Sequence, residues 1–132
     1  MAYDAFLIVM SQLAGKRQAR VVVQGNVIFF EASSRKNHFK ISTKVYSGDG
    51  YLSKSVRSCV SSGGILRWQN NGIYLKLEPL THSVFLIAEV EMEEGKYIPF
   101  RKHLSSFSSV AAEWQEILQE FAERDYSSVR VS

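Results

Sequence analysis

The sequence predicts an α+β fold in which helices pack against an antiparallel sheet, in the order α-β-β-β-α-β-β-α. Three observations lead there. Stretches rich in β-branched and aromatic residues occur as neighbours joined by short turns, as in "ARVVVQGNVIFFEA". The segment "HFKISTKVY" alternates strictly, with Phe39, Ile41, Thr43 and Val45 on one side and Lys40, Ser42, Lys44 and Tyr46 on the other. Near the end of the chain, Leu104, Phe107, Ala111, Trp114, Leu118 and Phe121 recur at three- and four-residue steps, with glutamates and glutamines opposite them.

The elements follow in order. A helix opens the chain over roughly Ala2 to Ala14. Tyr3, Phe6, Leu7, Met10 and Leu13 form its apolar stripe, Gly15 ends it, and Lys16 and Arg17 suit the negative end of its dipole. Two strands flank Gly25-Asn26, a two-residue loop able to supply positive φ, and "HFKISTKVY" completes a three-stranded meander with a basic outer side. After the break "SGDG", Leu52, Val56, Cys59 and Val60 share one side of a helix in "YLSKSVRSCVSSGG". "ILRW" reads equally as helix end or strand start. Asn71-Gly72 marks a turn into the hairpin Ile73 to Glu78 and Ser83 to Met92, with Pro79 to His82 between. "EEGKYIPFRK" is a polar connector, and Ser105 or Ser106 can cap the closing helix.

A chain of 132 residues suits one domain, residues 1–132, with 124–132 expected as a frayed tail. Its longest apolar runs, Phe6 to Met10 and Val84 to Ala88, are far shorter than the roughly 20 residues of a membrane span. The opening stretch lacks the basic region of a signal peptide. Cys59 is the only cysteine, which excludes an intrachain disulfide and suits a reducing, cytoplasmic setting.

Chemistry finds little support. His38, His82 and His103 lie far apart, no residue pair has metal-ligand spacing, and no nucleophile elbow or phosphate-loop pattern occurs. No catalytic residue, cofactor or metal is therefore expected. The net charge of +3 conceals a split: residues 1–70 balance to +7 and residues 71–132 to −4. Such a split fits nucleic acid, an acidic protein partner, or two halves that attract each other. Arg35, Lys36, Lys40 and Lys44 form a basic strip, but Phe39 lies on the opposite side of its strand, and no nucleic-acid motif is present. Protein binding has the better warrant. Val21, Val22, Val23, Val27, Ile28, Phe29 and Phe30 are consecutive apolar residues on strands, so they point to both sides, and some must meet another chain or water.

The element order, the length, the apolar opening helix with its meander, "WQNNGIYLKLEPLTHSVFLIAEV" and "LSSFSSVAAEWQEILQEF" together resemble the small class I chaperones of type III secretion, the SycE/CesT-like family. That resemblance implies a non-enzymatic dimer that binds an extended segment near the N-terminus of a secreted substrate protein and keeps it competent for export. By analogy, Phe6, Met10, Val21, Val23, Ile28 and Phe30 would line the substrate grooves, and Leu66, Trp68, Ile73 and Leu75 the subunit interface. The family is typically acidic and this chain is basic. The difference fits pairing with an acidic homologous subunit, as in chlamydial heterodimeric chaperones, or with itself. Some relatives act on transcription, so the basic half is also expected as a surface for RNA polymerase, with nucleic acid the weaker alternative.

Overall fold

The computed structural model describes residues 2–48, 52–63 and 72–131, with side chains described for 2–48, 52–61 and 72–125. Helix α1 (Ala2–Lys16) leads into strands β1 (Gln18–Val23), β2 (Asn26–Ala32) and β3 (His38–Ser47). Helix α2 (Lys54–Ser58) runs on as a wide π-helical turn, Cys59–Gly63. Strands β4 (Ile73–Glu78) and β5 (Ser83–Glu91) and helix α3 (Tyr97–Val131) complete the chain. The five strands form one antiparallel sheet in the order β1-β2-β3-β5-β4. The expected α+β order is therefore the observed one. "ILRW" lies outside the described residues, as do Leu66 and Trp68 within it.

One face of the sheet is the core. Ala19 and Val21 of β1, Ile28 and Phe30 of β2, Phe39, Ile41, Thr43 and Val45 of β3, and Val84, Leu86 and Ala88 of β5 are all buried there. Helices α1 and α3 cover this face, α1 over the β1 side and α3 over the centre. Aromatic rings join the three layers: Phe6 meets Phe100 edge-on at 5.4 Å between centroids, and Phe100 stacks on Phe30 at 5.5 Å.

Four local readings are corrected. The β1–β2 turn is Gln24-Gly25, with φ of 50° and 82°, and Asn26 pairs with Val23 inside the ladder. Both positions need positive φ in so tight a turn, and glycine suits the second. In α1 the buried stripe is Ala5, Phe6, Val9 and Leu13, while Tyr3 and Leu7 are exposed. The helix is apolar around most of its circumference, so spacing alone does not fix which side faces inward. Helix α3 begins at Tyr97, ahead of the expected caps Ser105 and Ser106, which lie inside it. Pro99 is its third residue, where no intrahelical amide bond is forfeited. In β3 a bulge between Lys44 and Tyr46 sets Tyr46 opposite Val84, so it packs against the core and not on the basic outer side of its strand.

Helix α2 is fixed at its first turn. Ser53 caps it, and Val56 is fully buried. From α3, Asp125 accepts the Ser55 amide at 2.8 Å and the Ser55 hydroxyl at 2.6 Å. Those Ser55 bonds, the hydroxyl foremost, hold the Asp125 carboxyl below the ordinary carboxylate pKa.

Candidate protein-binding surface

The meander places alternate residues of each strand on opposite faces, and the outer face carries no helix among the described residues. Three rows cross it. The first is a charge ladder in which Gln18 faces Glu31, Glu31 faces Lys40, and Lys40 faces Glu89. In the second, Arg20 faces Phe29, Phe29 faces Ser42, Ser42 faces Ile87, and Ile87 faces Tyr74. In the third, Val22 faces Val27, while Lys44 faces Phe85 and Phe85 faces Lys76. Val22, Val27 and Phe29 are 65%, 39% and 40% exposed, an apolar patch at the β1–β2 end of the sheet. Arg20 faces Phe29 beside it, while Lys44 on β3 and Lys76 on β4 lie progressively further across the sheet; all three are exposed.

Strand β1 is also an edge. The two-residue turn makes Val23 and Asn26 the closing hydrogen-bonded pair, so hydrogen-bonded pairs alternate back to Val21–Ile28 and Ala19–Phe30. The amides and carbonyls of Arg20 and Val22 therefore point away from β2. The Arg20 amide is occupied: it donates to Gln12 Oε1 of α1 at 2.8 Å. Among the described residues nothing bonds the outward backbone groups of Val22, which leaves a template for one added strand.

Helix α1 supplies apolar surface on the other side of that edge. Ile8 is 44% exposed and lies one turn from Gln12, so it shares the flank of α1 that meets β1. Tyr3 and Leu7 lie further round, and Tyr3 meets Tyr97 of α3 edge-on at 5.3 Å.

The structure moves the expected groove residues inward. Phe6, Val21, Ile28 and Phe30 are buried in the core, and Met10 and Val23 are half-buried and packed against it. Of the expected interface residues, Leu75 is buried and Ile73 half-buried on the same inner face. The exposed apolar residues are the alternate ones, Val22, Val27 and Phe29. The sequence carries a signal for them: Arg20 and Glu31 mark the water-facing phase of their strands, and that phase contains Val22, Val27 and Phe29.

Among the described residues no cluster of His, Cys, Asp or Glu has the makings of a metal site, and no helix is long and apolar enough to cross a membrane.

This arrangement of helices and sheet is the fold of the class I type III secretion chaperones. The chain is similar to a protein in the ExsC–ExsE complex, at 13% identity and a TM-score of 0.65, over 89% of this chain and 96% of that one. It is also similar to one in the HopA1–SchA chaperone–effector complex, at 10% identity and a TM-score of 0.59, over 87% of this chain and 94% of that one. No family model matches the sequence, and no curated protein matches it. At such identities the likeness is one of fold.

Proposed function

We propose that this chain is a type III secretion chaperone subunit that holds an extended segment of a secreted protein and keeps it export-competent, without catalysis. The observation that carries the reading is the open β1 edge at Val22, flanked by exposed apolar side chains on both sides. A segment paired with that edge would send alternate side chains to the Val22–Val27–Phe29 patch and to the Ile8 flank of α1. The neighbouring structures are complexes with a second polypeptide, in one of them an effector, which supports the same role here.

A second subunit fits the opposite edge. Strand β4 pairs only with β5 among the described residues, and Tyr74, Lys76 and Glu78 alternate along its outer side. Because Ile73 and Leu75 face inward, the contact would use the β4 backbone and those outer residues. The basic first half favours an acidic homologous subunit over a second copy.

An array of overlapping peptides from the N-terminal regions of proteins secreted by the source organism tests the reading. Capture of a short stretch, weakened by Phe29→Ser in a chain that still folds, is the expected result. Failure to capture any peptide would remove the reading.

A further inference from the structure

We infer that the Gln12 carboxamide stands in for a backbone carbonyl of the bound segment and yields to it, a step that rests on the chaperone reading and assigns a residue to its edge. Alternation in the β1–β2 ladder turns the backbone groups of Arg20 and Val22 outward, away from β2. A strand added there has to bring an acceptor to each outward amide. The Val22 amide meets nothing among the described residues. At Arg20 an acceptor is already in place, Gln12 Oε1 at 2.8 Å. It is an amide oxygen, the same chemical group that a peptide backbone presents. It reaches the edge from α1 and meets an amide that a neighbouring strand would otherwise fill.

Three features make this contact replaceable. Gln12 is exposed, and its side chain makes no other hydrogen bond among the described residues. Exchange conserves hydrogen bonds: Arg20 trades one amide oxygen for another, and the released Gln12 regains water and side-chain freedom. A segment held by both backbone groups of Val22 also arrives at Arg20 already tethered, because the two residues lie about 7 Å apart along the strand. In the free chain the same contact shortens the exposed edge and so limits unwanted strand pairing. A tie that served only to fasten α1 to β1 predicts the opposite sign. Its loss would loosen the edge and weaken capture.

The test uses the full chain and the tightest-binding peptide of the secreted-protein array, fluorescein-labelled, with affinity read by anisotropy. Gln12→Ala should bind that peptide about fivefold tighter than the parent, because the Arg20 amide then gains a partner on binding instead of exchanging one. Gln12→Asn keeps the carboxamide but loses its reach, and should match Gln12→Ala. Gln12 is exposed, and circular dichroism verifies that both variants fold. Residue-resolved amide exchange in Gln12→Ala separates the outcomes. Arg20 should exchange rapidly in the free variant and slow together with Val22 once the peptide is bound. In the parent, the Gln12 side-chain amide resonances should move to their solvent-exposed positions on binding. Slowing of Val22 while Arg20 stays fast would overturn the inference and leave the chaperone reading standing, as would unchanged or weaker capture by Gln12→Ala. An array that yields no captured peptide would overturn both. Slowing of the two amides in the peptide-free variant as its concentration rises would overturn the inference in favour of a second copy.

Discussion

The two faces of the sheet are built by the same strands yet follow different rules. On the inner face, Val21, Ile28, Phe30, Ile41 and Leu86 are buried under α1 and α3, and every fully buried position there is apolar except Thr43. The Thr43 hydroxyl is satisfied by donating to the Val27 carbonyl at 2.8 Å. On the outer face, one end is a charge ladder and the β1–β2 corner at the other is an exposed apolar patch. Burial and hydrogen bonding account fully for the first face as a core. They account for the second only in part, because side chains this exposed add no more than about 1 kcal/mol through cross-strand pairing. The difference separates residues that hold the fold from residues left available to a partner.

That separation is breakable by substitution, and the largest effect belongs to the inner face. Phe30→Ala should cost about 3–5 kcal/mol in urea unfolding, whereas Phe29→Ser, one residue away, should change stability by less than about 1 kcal/mol and weaken segment binding instead. Equal destabilisation by the two would erase the distinction between the faces. The edge sharpens the comparison next. Val22→Pro removes an amide that pairs with nothing in β2, so the fold should persist while peptide capture drops at least about tenfold. Val21→Pro removes a ladder amide and should destabilise the chain measurably. Gln12→Ala frees the Arg20 amide and should cost about 0.5–1 kcal/mol, near the value of one ordinary hydrogen bond. The smallest effect lies away from the sheet. Because Asp125 has a folded pKa below its ordinary 3.8, its bonds to Ser55 stabilise the fold above that pH and lose their contribution as pH falls through the folded value. Asp125→Asn should therefore unfold at lower denaturant than the parent at neutral pH, and the two curves should converge at acid pH.

Much of this was legible in the sequence, and what was not has identifiable causes. The alternation of "HFKISTKVY" places Phe39 to Val45 on the faces where they are found and fails only at Tyr46, past the bulge, while the spacing from Leu104 to Leu118 marks the buried stripe of α3. Helix α1 resisted because apolar residues surround it, so the stripe through Val9 and the stripe through Leu7 compete on equal terms until the sheet and α3 are placed. The start of α3 was hidden by Pro99, which reads as a break in a connector but is tolerated in a first turn. Family analogy named Val21, Ile28 and Phe30, which lie buried, whereas the outward phase of the same strands holds Val22, Val27 and Phe29. That the Val22 amide is open and the Arg20 amide occupied depends on the turn type and on the Gln12 side chain reaching Arg20, neither of which a residue pattern encodes.

The most direct test is residue-resolved amide hydrogen exchange on the chain alone and saturated with the tightest-binding peptide from the secreted-protein array. Val21, bonded to β2, should be protected in both states and serves as the internal control. Val22 should exchange rapidly in the free chain and slow by an order of magnitude or more when the segment adds to the β1 edge. An unchanged Val22 rate at saturating peptide would contradict the account.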